Sequence, residues 1–111
     1  MLNMNFYDRY VSLVFAYSTN YQNWTVNTNW LHPELPVRDW YGLNCNDDGR
    51  IGVLDLAVNN LVGTLPTEIG MLDNLDFVFL SRNELTGKRL VFVVSVVIEF
   101  MSDVCIQRCP F

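Results

Sequence analysis

Basic charge is scarce in this chain. Seven Lys and Arg stand against twelve Asp and Glu, a net charge of −5 at pH 7 over 111 residues. A phosphate-bearing partner needs a basic face, so the balance argues against nucleic-acid binding. Histidine occurs once, at His32 before Pro33. With no ligand cluster around it, the sequence offers no metal centre and no Ser–His or Cys–His triad. The three cysteines, Cys45, Cys105 and Cys109, are an odd number, so a fully paired disulfide framework within one chain is impossible. Long apolar runs are missing too. The run at 90–98 meets Glu99 and is too short to cross a bilayer as a helix. The run at 10–17 follows Asp8 and Arg9, with no small-residue cleavage site after it, so no secretory signal is read.

Hydrophobic residues are plentiful, at 50% of the chain, enough for one small folded domain. One stretch, NCNDDGRIGVLD at 44–55, resembles a calcium loop, with Asn46, Asp48, Gly49 and Ile51 at its third, fifth, sixth and eighth positions. Two features count against calcium. Pro33, Pro36 and Gly42 precede the loop where an EF-hand has a helix, and Asp55 replaces the long bidentate Glu at position twelve.

A repeat explains the stretch better. Laid over one another, LDLAVNNLVGTLP (54–66) and VFLSRNELTGKRL (78–90) pair Leu54 with Val78, Leu56 with Leu80, Asn59 with Asn83, Leu61 with Leu85, and Gly63 with Gly87. The period is 24 residues, in the range of stacked repeat architectures. Leu54 and Leu56 alternate along a strand and face inward, so Asp55 faces out. The asparagine is expected to bond the backbone of neighbouring turns. Gly63 permits a bend, and Pro66 suits an extended return segment. Ile69, Leu72 and Leu75 continue the apolar spacing between the copies.

The pattern L-x-L-x-x-N-x-L-x-G resembles the leucine-rich repeat of plant-type proteins, and the preceding segment resembles their N-terminal cap. The resemblance covers about 6–87 and implies an α/β fold: a short leucine-rich repeat solenoid with an N-terminal helical cap and an atypical apolar C-terminal tail. The divisions are 1–50 for the cap with its helix and Trp-rich loop, 51–88 for the repeats, and 89–111 for a divergent hydrophobic tail. Phe6, Tyr10, Leu13, Val14 and Tyr17 recur at helical spacing and are expected to be the buried stripe. Asn5 with Asp8 is expected to cap the helix start. Trp24, Trp30 and Trp40 are expected in the core.

Two departures from the family stand out. The family cap has a C-x-W-x-G-V-x-C pattern, where this chain reads RDWYGLNC, so Arg38 stands at the first cysteine and Cys45 at the second. Arg38 is expected to lean its charged end towards water while its stem covers part of Trp40 or its neighbours. After Gly87 the proline of the first copy is replaced by Lys88-Arg89-Leu90, and a period beyond Val78 and Leu80 stand only Ser102 and Val104. No third repeat is read there, and the chain resembles a truncated member of the family. Gly87-Lys88 has neither the upstream glycine nor the Ser/Thr of a phosphate loop.

The resemblance implies a binding module, receptor-like or inhibitor-like, that recognises a protein or peptide on its concave strand face. The outward positions are Val53, Asp55, Ala57 and Val58 on the first copy, and Phe77, Phe79, Ser81 and Arg82 on the second. No enzyme signature, cofactor or metal is read. Membrane association is expected only through segments outside this chain, and the family resemblance implies an extracellular or membrane-attached setting. Asn23-Trp24-Thr25 is a glycosylation sequon, relevant only to a secreted chain. The alternative is a receptor-like piece with no independent activity, since repeat arrays need about three units and a cap at each end.

Overall fold

The computed structural model describes residues 4–86 and, as backbone, three short strands within 90–107. The expectations for Gly87, Lys88 and Cys109, and for most of 89–111, lie outside the described residues.

One helix, α1 (Met4–Ser18), opens the chain, in a segment free of glycine and proline. Asp8, Val11, Ser12, Phe15 and Ala16 are buried, the i, i+3, i+4, i+7, i+8 stripe of an amphipathic helix. Thr19 closes the last turn by donating its N–H and its hydroxyl to the Phe15 carbonyl. Asn20, at φ 58°, then turns the chain out of the helix.

The buried stripe differs from the one expected. Phe6, Tyr10 and Tyr17 are 50%, 44% and 67% exposed, and Leu13 and Val14 are only half-buried. The helical period holds, but the buried face lies at a different phase. Small side chains at Ser12 and Ala16 let the helix backbone approach the layer beneath, and Asp8 is drawn inward by a partner described below. The capping expectation fails for the same reason. Asn5 lies inside the helix, and both oxygens of Asp8 point to the sheet.

Among the described residues eight short strands follow: β1 (Leu43–Cys45), β2 (Ile51–Asp55), β3 (Val62–Thr64), β4 (Phe77–Phe79), β5 (Glu84–Thr86), β6 (Leu90–Phe92), β7 (Val97–Glu99) and β8 (Cys105–Gln107). The main sheet has the order β1-β2-β4-β8. β1 and β2 form an antiparallel hairpin, and β2 and β4 run parallel with Val53 opposite Phe77, Leu54 opposite Val78 and Asp55 opposite Phe79. That register of 24 residues is the repeat read in the sequence. On the other side of the molecule β3 and β5 pair in parallel with Val62 opposite Glu84. The offset there is 22, so the two ladders are out of step by two residues, and Gly63 lies opposite Leu85 rather than Gly87.

Between the sheets runs the apolar core. Leu54, Leu56, Leu61, Leu65, Ile69, Leu72, Leu75, Val78 and Leu80 are all buried, each worth about 1.5–3 kcal/mol of burial. Pro66, extended at φ −73°, leads into a 3₁₀ turn at Thr67–Met71 that brings Ile69 inward. Gly63 has φ 137°, and a Cβ there would overlap the carbonyl of Ser18, so only glycine lets β3 pass the end of α1.

Candidate binding face

The hairpin β1–β2 is pinned by Asn46. Its side-chain oxygen accepts the N–H groups of Asp48 at 2.9 Å and Arg50 at 3.0 Å, an Asx arrangement that folds the chain back on itself. The stretch with the calcium-loop rhythm is thus a turn whose third-position oxygen is engaged by backbone. Asp55, at its end, lies on β2 and is exposed.

Asparagines lock one coil onto the next. Asn83 accepts the N–H groups of Asn59 and Leu61, each at 3.0 Å, and donates to the Leu56 carbonyl at 2.8 Å. Asn59 does the same one level down, accepting from Val26 N–H at 2.7 Å and donating to the Val26 carbonyl at 2.9 Å. The expectation for these residues holds, and it extends further than the repeats, because the lower rung ties the Trp-bearing loop to the first coil.

That loop is built on its tryptophans. Trp24 and Trp30 meet edge to face at 4.8 Å, and Trp30 and Trp40 lie 5.1 Å apart. All three are buried, as expected. Trp24 donates to the Thr19 carbonyl and Trp30 to the Tyr41 carbonyl. The cation over Trp40 is Arg9, whose guanidinium lies 5.0 Å from the ring centre and donates to the Leu35 and His32 carbonyls. Arg38 is exposed. The second turn of α1 brings Arg9 over the ring. His32 is exposed, and its Nδ1 accepts the N–H of Glu34 at 3.2 Å.

The sheet presents the outward positions in register. Val53 neighbours Phe77, and Asp55 neighbours Phe79. The Phe77 and Phe79 rings lie nearly parallel, 6.2 Å apart at 5°. Phe77 is 39% exposed, while Phe79 and Val53 are half-buried. Beyond the strand ends the coils stay together, with Val58 N–H donating to the Ser81 carbonyl at 2.9 Å. There Val58 and Arg82 both take left-handed backbone, at φ 52° and 58°, and stand exposed at the corner while Ala57 and Ser81 are half-buried. The eight positions thus divide. Val53, Asp55, Phe77 and Phe79 form one surface on the sheet, and Val58 and Arg82 mark its rim.

The sequence reading missed the polar link beneath. Arg50 donates from Nε and Nη2 to the two carboxylate oxygens of Asp8, each at 2.9 Å, and Ile51 N–H donates to Asp8 at 2.9 Å. Both side chains are buried. The hydrogen bond to Asp8 raises the Arg50 pKa further. The available signal was Asp8 itself, a lone acid on the phase shared by Val11, Ser12 and Phe15.

Cys45 is half-buried on β1 and has no disulfide partner among the described residues. Burial pushes its thiol pKa up, the charge of Asp8 adds to this, and Arg38 pulls it back. Among the described residues no group of three acidic, His or Cys side chains is placed to hold a metal, and no helix is long and apolar enough to cross a membrane.

No family model matches the chain. It is 38% identical over 59 residues to a probable leucine-rich repeat receptor-like protein kinase of Arabidopsis thaliana, covering 53% of this chain and 6% of that protein. A probable inactive leucine-rich repeat receptor-like protein kinase of the same plant is 34% identical over 76 residues, covering 68% of this chain and 11% of the other. The chain therefore spans about a tenth or less of these relatives. Among solved structures, a leucine-rich repeat protein from Bacteroides eggerthii superposes with a TM-score of 0.63 at 23% identity, over 70% of this chain and 14% of that one. The PEPR1–AtPEP1 structure superposes with a TM-score of 0.55 at 22% identity, over 70% and 11%.

Proposed function

We propose that the outward face of β2 and β4 binds a protein or peptide, as the surface of a short plant-type leucine-rich repeat segment. In this reading residues up to about 50 serve as a cap on the first coil, and the repeats supply the surface. The observation that carries it is the Phe77–Phe79 ring pair, partly open to solvent on a strand held in register with Val53 and Asp55. Aromatic rings on a rigid sheet give contact area at small entropic cost, the property of binding hot spots. Asp55 beside them supplies a charge that selects a ligand with a basic or amide group. Receptor-like relatives at 34–38% identity support a recognition role.

Selection of a random peptide library on the immobilised full chain tests the reading. Selected peptides are expected to lose at least tenfold in affinity on Phe77→Ala, since a central aromatic anchor is worth about 2 kcal/mol or more, and to be indifferent to Tyr17→Ala on α1. A second reading, favoured by the small share of each relative that the match covers, is that this unit has no binding activity by itself. A library that yields no peptide sensitive to Phe77 supports that second reading instead.

A further inference from the structure

Of Asn20, Asn23, Asn27, Asn29 and Asn60, all but Asn23 have side-chain amides committed to backbone carbonyls. Asn20 donates to the Val62 carbonyl, Asn27 to Tyr21, Asn29 to Asp39, and Asn60 to the Asn23 carbonyl. The Asn23 side-chain amide makes no hydrogen bond among the described residues. Asn23 is also the residue that heads the sequon Asn23-Trp24-Thr25, and it is exposed at the end of the 3₁₀ turn Tyr21–Asn23. The turn holds it in place: its N–H donates to the Asn20 carbonyl at 2.9 Å, while Trp24 behind it is buried. Anything attached to Asn23 must therefore project outward.

Beside it lies a surface depression of about 200 Å³ lined by Tyr17, Asn20, Tyr21, Gln22 and Asn23. Tyr17 is 67% exposed, the most open large apolar side chain in the described residues. Its ring is not loose, for it meets Tyr21 edge to face at 5.7 Å and 81°, and Tyr21 packs against the core. An aromatic ring so fixed and so exposed offers a ready-made platform for an apolar face. The sugar attached directly to an asparagine has one: the C–H face of its ring lies flat on an aromatic face while its hydroxyls stay in water.

We propose that Asn23 is an N-glycosylation site whose first sugar seats in this depression against Tyr17. The donor class is an oligosaccharide activated on a lipid diphosphate. The new bond joins Asn23 Nδ2 to C1 of the sugar, the bond from C1 to the diphosphate oxygen breaks, and the displaced amide proton passes to the transferase's base. The lipid diphosphate is the leaving group. Attachment covers the open end of α1 and leaves the sheet face of β2 and β4 free.

The test uses the full chain secreted from eukaryotic cells behind a supplied leader, trimmed enzymatically to one sugar. Peptide mapping is expected to find that sugar on Asn23. Relative to Asn23→Gln, the single sugar raises the melting temperature on the order of 4 °C, the scale of one modest contact in a domain this size. In a Tyr17→Ala background the same comparison gives no rise. An unmodified Asn23 in the secreted chain, or an equal shift with and without Tyr17, overturns the proposal.

Discussion

Val58 holds a backbone conformation that its side chain opposes. At φ 52° a β-branched residue carries strain of about 1–3 kcal/mol, and the side chain gains little in return because it is 63% exposed. Asn60 and Arg82 take the same left-handed geometry at φ 58°. Val58→Asn is therefore expected to stabilise the fold by about 1 kcal/mol, read as a rise in the denaturant midpoint at unchanged slope; a drop would mean that the valine side chain makes a contact worth more than its strain. A second residue-scale outcome concerns Cys45. Burial raises its thiol pKa, so the folded protein holds the proton more tightly than the unfolded chain. That contribution is complete below the thiol's unfolded pKa and is lost as pH rises through the folded one. Native-state alkylation of Cys45, located by peptide mapping, should lag behind that of a free cysteine across the alkaline range, and Arg38→Ala should delay it further by removing the charge that opposes the shift. Equal rates for wild type and Arg38→Ala would separate the two residues. None of this was legible in the sequence, because φ and local burial depend on how the coils stack.

The strands and their asparagines were the legible part. Alternation at Leu54 and Leu56, and a 24-residue period, gave the β2–β4 register correctly, since a one-residue slip would turn every leucine outward. Leu56 is buried and its N–H donates to the Phe79 carbonyl at 3.0 Å. Leu56→Ala is expected to cost about 2–5 kcal/mol in chemical denaturation, and a loss below about 1 kcal/mol would contradict its place in the core. The helix was less legible. Periodicity alone fixes a repeat of 3.6 but not which side faces in, and large rings at Phe6, Tyr10 and Tyr17 pointed to the wrong one. The cap loop raises a third question, where Cys45 finds a partner. Cys45 and Cys105 sit on the two edge strands of the β1-β2-β4-β8 sheet, three spacings or roughly 14 Å apart, too far for a disulfide. A partner introduced by Arg38→Cys is nearer, since position 38 lies on the 3₁₀ turn Val37–Asp39, which packs against β1. Mild oxidation of that variant is expected to link residues 38 and 45 and to add up to roughly 3 kcal/mol. Mass spectrometry showing position 38 still free would rule the geometry out.

At the scale of the whole molecule, a buried charged link ties α1 to the start of the repeats. Asp8 on the helix takes two hydrogen bonds from Arg50 and one from the Ile51 N–H, at the point where β2 begins. No periodicity predicts such a link, because it joins residues 42 and 43 apart through the folded core. Its energetics are asymmetric. Replacing both partners of a buried ion pair by apolar groups of similar size is often neutral, whereas removing one leaves the other charge buried and unpaired, at about 3–5 kcal/mol. Asp8→Ala strands the Arg50 guanidinium and also orphans a backbone donor of β2. Against a total stability of about 5–15 kcal/mol for a domain of this kind, that loss frees α1 from the sheet before it unfolds the coils, which the Asn59 and Asn83 rungs hold independently. The double variant Asp8→Leu with Arg50→Met is expected to recover most of the loss, apart from the unpaired Ile51 N–H. Denaturant titrations of the single and double variants give the coupling energy directly. Amide exchange should show α1 opening in Asp8→Ala while β2 and β4 stay protected. If Asp8→Ala falls within about 1 kcal/mol of wild type, the helix is held by its apolar face alone, through Val11, Phe15 and Ala16, and the ion pair only sets the phase in which that face docks.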